Sequence, residues 1–282
     1  MSQPKVWLIT GTSSGFGRAV TEHVLANGGI VVATLRKPEA IADLAAKYDS
    51  SRLLVLKLDV KNPEEIKSVF AKVKETYGRL DVVYNNAGYA VLAEAEATPV
   101  DTARDMFEVN FWGLINVSKE ALRFFREVNK PGVGGWLLNA SSMAGIAGLP
   151  AMSFYSASKY AVEGFSEAVS KELKPEWNIK VGVIAFGNFH TNAVQGIVDK
   201  DIPSLPAYEG GVVTSMRSAF DPNGGKSPKK AARELYNITV NPKSPSRVRL
   251  LLGDDTIGLA KGQLKQLQED IDVSEPITDL WP

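Results

Sequence analysis

Through the first two thirds of the chain, short apolar runs alternate with longer stretches whose apolar residues recur at helical spacing. Val6-Trp7-Leu8-Ile9 is the first run, and it stops at Gly11. A helix-compatible stretch follows from about Gly15 to Asn27 and ends at Gly28-Gly29. Ile30 to Leu35, Leu53 to Leu58, Leu80 to Tyr84, Trp136 to Ala140 and Ile179 to Ala185 repeat the strand signal. Pro38 to Tyr48, Pro63 to Tyr77, Thr102 to Asn129 and Phe154 to Leu173 read as helical, the third with a break near Asn110.

The rhythm changes after Phe186. From Asn188 to about Lys226, glycines and prolines punctuate scattered apolar residues. Arg247 to Leu252 then reads as a seventh strand and Thr256 to Ile271 as a charged amphipathic helix. Strands alternating with helices imply a parallel sheet covered on both faces. Right-handed crossovers make that a Rossmann-type, doubly wound α/β fold. The reading is one domain over residues 1–282, with 188–226 laid over the sheet as a substrate lid and 247–282 adding the last strand and helix.

Composition narrows the chemistry. Of 282 residues, 44% are hydrophobic and 23% charged, as in an ordinary globular protein. Lys plus Arg and Asp plus Glu are 32 each, and no basic stripe stands out, which argues against a nucleic-acid partner. The absence of cysteine removes thiolate catalysis and Cys-based zinc sites, and His23 and His190 lie far apart, so no metal is expected. No leader and no membrane-spanning segment is recognisable, and a cytoplasmic protein is the default expectation.

Thr10 to Gly17 joins the first strand to the first helix. Gly11 suits a tight turn, and Gly15 and Gly17 allow backbone and helix to approach a pyrophosphate, which the helix N-terminus would attract. The spacing Gly-x-x-x-Gly-x-Gly resembles the cofactor turn of the short-chain dehydrogenases/reductases, in their single-domain branch. The resemblance runs from about Lys5 to Thr191. It implies nicotinamide-cofactor contacts along Ser13, Ser14, Gly15, Phe16 and Gly17. Strand two ends in Leu35-Arg36-Lys37 rather than in a carboxylate, and Arg36 suits a 2′-phosphate, which predicts NADP(H). The resemblance further implies that Asp59-Val60 borders the adenine and that Asn86, Ala87 and Gly88 let backbone lie against adenine and ribose.

Tyr155 and Lys159 stand four apart on a predicted helix and share a face. An ammonium close by favours phenolate, and a tuned tyrosine can donate a proton to a carbonyl oxygen or take one from an alcohol. Ser142 precedes Tyr155 by the spacing the family uses, at the end of strand five, and would bond the substrate oxygen; Ser141 is the fallback. Asn110 resembles the family's helix-four asparagine, which distorts its helix and links the lysine to solvent. Phe186 stands where the family usually has proline, whereas Gly187 and Thr191 are retained, so Gly187, Phe189 and Thr191 are expected along the nicotinamide.

Apolar candidates for the substrate wall are Met143, Ile146, Leu149, Met152 and Phe154, with Tyr89, Val91 and Leu92 opposite. Val194, Ile197, Val198, Leu205, Tyr208, Val212 and Met216 would contribute from the insertion. Such a wall favours a small lipophilic ketone, aldehyde or alcohol. The resemblance implies a homodimer or homotetramer built on the helices over Asn110–Asn129 and Phe154–Leu173. A non-catalytic NADP(H)-binding regulator and a sugar-nucleotide epimerase or dehydratase are the alternatives. The retained Tyr155 and Lys159 argue against the first, and the glycine spacing and length against the second.

Overall fold

The computed structural model describes residues 3–191, 202–219, 221 and 224–275. Seven parallel strands form one sheet in the order β3-β2-β1-β4-β5-β6-β7. They are β1 (Val6–Thr10), β2 (Ile30–Leu35), β3 (Leu53–Lys57), β4 (Val82–Asn85), β5 (Gly135–Ser142), β6 (Ile179–Phe186) and β7 (Arg247–Leu252). The order reverses between β1 and β4, and a doubly wound sheet opens its ligand crevice at that point, outside the carboxyl ends of the strands. β1 is buried along its whole length, as expected of a strand covered on both faces.

One core cluster places Trp7, Ile9, Val20, Val24, Tyr84, Leu138 and Ile184 with Leu235 on one face of the sheet. The other packs Leu8, Val83 and Leu137 against Ile66, Phe70, Val117, Phe124 and Phe125. Alternation along each strand thus feeds two separate layers. Helices α1 (Gly15–Ala26), α3 (Pro63–Tyr77), α5 (Leu114–Glu127) and α6 (Ser153–Glu172) follow the periodic stretches. No helix among the described residues is long and apolar enough to cross a membrane.

Three elements depart from the sequence reading. The expected helix over Pro38–Tyr48 is a 3-10 turn (Pro38–Ile41) running into a single α-turn, α2 (Ala42–Ala45). Only Ile41 and Leu44 are buried there, too few to hold a longer helix against the sheet. The break near Asn110 is a continuous π-helical turn (Glu108–Gly113) between α4 (Val100–Phe107) and α5. A helix is also present where none is expected, α8 (Pro228–Val240), with Ser227 accepting from the Lys229 amide at its start. Its buried residues Ala231, Ala232 and Leu235 join the β1 core layer, and Tyr236 stacks on Trp7 at 6.3 Å.

The insertion contains a 3-10 turn (Pro206–Tyr208) and α7 (Val212–Ala219) among its described residues. Val194, Ile197 and Val198 lie outside them, as does the end of the chain beyond Glu275. The last helix, α9 (Asp254–Ser274), begins two residues before the expected Thr256.

Candidate active site

The glycine turn is built by close contacts that side chains would prevent. Gly11 has φ +69°, and a Cβ at Gly17 would lie 2.3 Å from the Gly11 carbonyl oxygen. Asn86, after β4, donates through Nδ2 to the Thr10 and Gly11 carbonyls at 2.9 and 3.0 Å. The Thr10 hydroxyl accepts from the Asn86 and Ala87 amides at 2.9 and 3.0 Å. These bonds fix the turn against the β4 loop, at the point where the strand order reverses. Helix α1 starts at an extended Ser14 with no side-chain cap and no acidic residue in its first turn. Its first N–H groups and its positive dipole end are therefore uncompensated, and that cradle fits a pyrophosphate.

Arg36 and Lys37 are exposed just past the carboxyl end of β2. At the β3 end, the Asp59 carboxylate accepts from the Lys61 amide at 3.0 Å, as a turn residue does. Val60 is buried so tightly against the π-turn that a Cβ at Gly113 would come within 2.7 Å of its Cγ2. A Cβ at Gly88 would meet Asn110 Oδ1 at 3.0 Å and Lys159 Nζ at 3.6 Å, so this glycine leaves the space between them open.

Tyr155 and Lys159 project from one face of α6, and Lys159 Nζ lies 5.7 Å from the Tyr155 ring centroid. Lys159 is buried, and its ammonium donates to the Ala140 carbonyl at 2.9 Å. Burial lowers its pKa to about 8, opposed by the carboxylate of Glu163. The sequence reading expects Lys159 to lower the tyrosine pKa. Instead, burial pushes Tyr155 above the ordinary phenol value, and only the hydrogen-bonding Ser142 hydroxyl pulls the other way. The ammonium is turned toward the β5 backbone, and desolvation of the phenolate dominates.

The adjacent serines separate by strand alternation. Ser142 Oγ bonds toward Tyr155 and also accepts from the Ala144 amide at 3.2 Å. Ser141 Oγ instead lies on the side of Glu163, where its hydroxyl favours the carboxylate form. The π-turn brings Asn110 inward, fully buried. Its Oδ1 accepts from the Tyr89 amide at 2.9 Å, and its Nδ2 donates to the Tyr89 carbonyl at 2.8 Å and to Ser158 Oγ at 3.2 Å. Beneath the site, Asn85 Nδ2 donates to Asn139 Oδ1 and Ser118 Oγ, and Asn139 Nδ2 donates to Ser166 Oγ. This polar ladder ties β4 and β5 to α5 and α6.

The segment after β6 replaces a proline constraint with aromatic packing. Phe186 stacks on Phe16 of the glycine turn at 3.8 Å between centroids, and Phe189 meets Phe16 edge-on at 5.1 Å. Asp255, at the start of α9, accepts from the Asn188 amide at 2.7 Å and sits where a Cβ on Gly187 would clash. Thr191 lies over the turn, 3.1 Å from where a Gly15 Cβ would stand. His190 is exposed, with its amide bonded to the Lys226 carbonyl at 3.0 Å.

Above Tyr155 an apolar cluster brings Ala90, Leu92, Ala151 and Val213 together with Met152 and Tyr208. A second contains Val91, Ala93 and Met106, with Tyr89, Phe154, Tyr155 and Ile202 packed on it. Met143, Ile146, Leu149, Leu205 and Met216 remain partly exposed. One wall assignment fails: Val212 faces solvent at 60%, while its neighbour Val213 turns inward. Val91, at 3% exposure, packs in the cluster that Tyr155 borders. The described segment 202–219 is tied to the loop after β4 by Glu94, a residue that sequence reading passes over. This buried carboxylate accepts from Ser204 Oγ at 2.5 Å and pairs with Arg217 at 3.1 Å. Arg217 also donates to the Ile202 carbonyl, and Tyr208 Oη donates to Glu96. Partners more than a hundred residues apart leave no local signal, so only the fold reveals this group.

The family model described as short chain dehydrogenase matches residues 5–201. An uncharacterized oxidoreductase of Schizosaccharomyces pombe is 36% identical, over 94% of this chain and 87% of its own. The NADPH-dependent 1-acyldihydroxyacetone phosphate reductase of Saccharomyces cerevisiae is 34% identical over 71% of this chain and 64% of its own. A crystal structure of a short-chain dehydrogenase from Streptomyces avermitilis superposes with a TM-score of 0.84 at 34% identity, covering 99% of this chain and 98% of that one. With its seven-stranded parallel sheet and its glycine turn, this chain belongs to the short chain dehydrogenase family of oxidoreductases.

Proposed function

We propose that this protein is an NADP(H)-dependent carbonyl reductase or alcohol dehydrogenase that acts on a lipophilic ketone or aldehyde and its alcohol. The observation that carries the reading is Tyr155, held beside Ser142 and Lys159 beneath an apolar cluster. Arg36, Ser13 and Ser14 would hold the 2′-phosphate, and the uncapped start of α1, with Gly15, Phe16 and Gly17, the pyrophosphate. Asp59, Val60, Asn86, Ala87 and Gly88 would border the adenosine, and Gly187, Phe189 and Thr191 the carboxamide. The bound nicotinamide supplies or accepts the hydride.

The protein's own part is the proton. Ser142 Oγ donates to the carbonyl oxygen and steadies its developing charge. Tyr155, kept protonated at neutral pH by burial, delivers the proton to that oxygen. Lys159 places a positive charge next to the phenolate that remains, and Asn110 positions the Tyr89 loop beside them. A protonated phenol favours carbonyl reduction near neutral pH, and alcohol oxidation becomes competitive as pH rises.

The lipophilic substrate class rests on the wall formed by Leu92, Met152, Tyr208 and Val213, and the similarity to the yeast 1-acyldihydroxyacetone phosphate reductase supports an acyl-bearing carbonyl substrate. Exposed Trp112 and Tyr160, near the π-turn and on α6, support self-association through these helices into a dimer or tetramer. Purified protein mixed with NADPH and a panel of aliphatic and aromatic carbonyls should consume NADPH, faster than NADH, and Tyr155→Phe should reduce turnover by about 100-fold or more. Tight NADPH binding with no turnover on any member would instead identify a non-catalytic cofactor-binding regulator.

A further inference from the structure

Helix α6 carries a third functional-type side chain on the face that presents Tyr155 and Lys159. Glu163 lies one turn beyond Lys159, and positions 155, 159 and 163 fall at successive i, i+4 steps. The residue is 5% exposed, in a place where an unpaired carboxylate would be costly. Arg249, on β7, reaches it with Nη2 at 2.9 Å from Oε2. Ser141, the strand-five serine that turns away from Tyr155, lies against the same carboxylate. Three elements, β5, α6 and β7, thus converge on one buried acid that no step of the proton transfer uses.

We propose that Glu163 is a positioning residue whose negative charge keeps Lys159 an ammonium inside a site that would otherwise discharge it. The inference rests on the reading of Tyr155 and Lys159 as the reacting pair. Lys159 is 4% exposed, and burial of an ammonium favours its neutral form. Glu163 is the charge that acts against this trend; burial pushes its own carboxyl above the ordinary value, and the Ser141 hydroxyl, Arg249 and Lys159 act together to favour its ionised form. Other groups facing the pair do not substitute for it. Tyr155 and Tyr160 flank Lys159 on α6 as neutral phenols, and Glu167 pairs with Lys171 at 2.9 Å. Arg247 and Arg249 also reach toward Glu167, at 3.6 and 3.9 Å. Arg249 pairs with the carboxylate from β7 at 2.9 Å, on the buried side of α6.

The direct test is the titration of Lys159 itself. Protein labelled with 15N-lysine gives a buried ζ-resonance, assigned by its loss in Lys159→Met, and this readout needs no turnover. In Glu163→Gln the Lys159 midpoint should fall by about one pH unit, and the alkaline limb of kcat/KM should move down with it. Near pH 9 the variant would then be about tenfold less active than the parent relative to their ratio at pH 6.5. Glu163→Asp, which keeps the charge, should recover most of the shift. Should Glu163→Gln fail to fold, the double variant Glu163→Met with Arg249→Met replaces the ion pair by apolar side chains, a change that buried pairs often tolerate. It should lower the midpoint in the same direction. A folded variant of either kind with an unchanged Lys159 midpoint overturns the proposal. Full activity in Lys159→Met would instead overturn the reading of the reacting pair on which it rests.

Discussion

A phenol enclosed by protein keeps its proton, and an ammonium in the same enclosure tends to lose one. Tyr155 and Lys159 show both effects side by side, with the phenol pushed up and the amine lowered to about 8. For a base whose pKa is depressed, the charged form is full below that value and is lost as pH rises through it. Proton delivery that depends on the Lys159 charge should therefore decline as pH passes about 8, well before a free lysine would titrate. The pH profile of kcat/KM for carbonyl reduction checks this, and a plateau extending beyond pH 10 would contradict it. A second residue-level expectation concerns Arg36, exposed beyond β2 with its charge available to a 2′-phosphate. Arg36→Asp should lower the ratio of kcat/KM for NADPH over NADH by about tenfold or more, since a charge-assisted bond is worth about 1.5–3 kcal/mol. An unchanged ratio would place cofactor selection elsewhere. These residues were legible in the sequence because their signals are local: the four-residue step from Tyr155 to Lys159, the glycine turn, and the basic end of strand two. The direction of the Tyr155 shift was not, because burial sets it, and the enclosure comes from segments far apart in the chain, Val91, Ala93 and Met106 on one side and Leu92 and Val213 on the other.

Elements were legible in proportion to their apolar content. The five inner strands read correctly because each is a nearly continuous buried run, as the central strands of a parallel sheet must be, and the partly buried edge strands β3 and β7 were legible from their short apolar runs alone. Helix α8 was missed because two of its buried positions are alanines, 231 and 232, which give little periodic contrast. The remaining signal was Ser227-Pro228 at its start, a cap followed by a first-turn proline. Yet α8 closes the core layer under β1, with Leu235 fully buried against α1 and the sheet. Leu235→Ala should cost about 2–5 kcal/mol of stability, read from the midpoint of chemical denaturation. A change below about 1 kcal/mol would mean that the helix is not integral to the core. The π-turn has a similar lesson. A polar residue inside an apolar helical stretch was read as a break, but Asn110 satisfies its amide on the Tyr89 backbone and the chain stays helical around it. The turn therefore couples α4 and α5 to the loop that borders Tyr155 and Lys159.

At the scale of the molecule, the segment after β6 and the loop after β4 close over Tyr155 from opposite sides. What joins them is polar, although their contact surface is apolar. Glu94 is buried on the loop side and Arg217 is 27% exposed on α7, with Ser204 completing the group. Burial alone would raise the Glu94 pKa, but the Ser204 hydroxyl and Arg217 bring it below the ordinary carboxylate value, so the pair stays charged at neutral pH. Removing Arg217 leaves that carboxylate in an enclosed place, which loosens α7 where it carries Val213 over the site. Because the arginine is partly solvated, the loss should be modest, about 1 kcal/mol, or roughly fivefold in an equilibrium between closed and open arrangements. Arg217→Met should thus raise KM about fivefold for a long-chain ketone, which needs the closed wall formed by Leu92, Tyr208 and Val213. The same variant should change kcat/KM for a small aldehyde by less than about twofold, since such a substrate reaches Tyr155 without the wall. Equal losses on both substrates would show that the latch supports the reacting pair itself, and no loss on either would remove it from the substrate site.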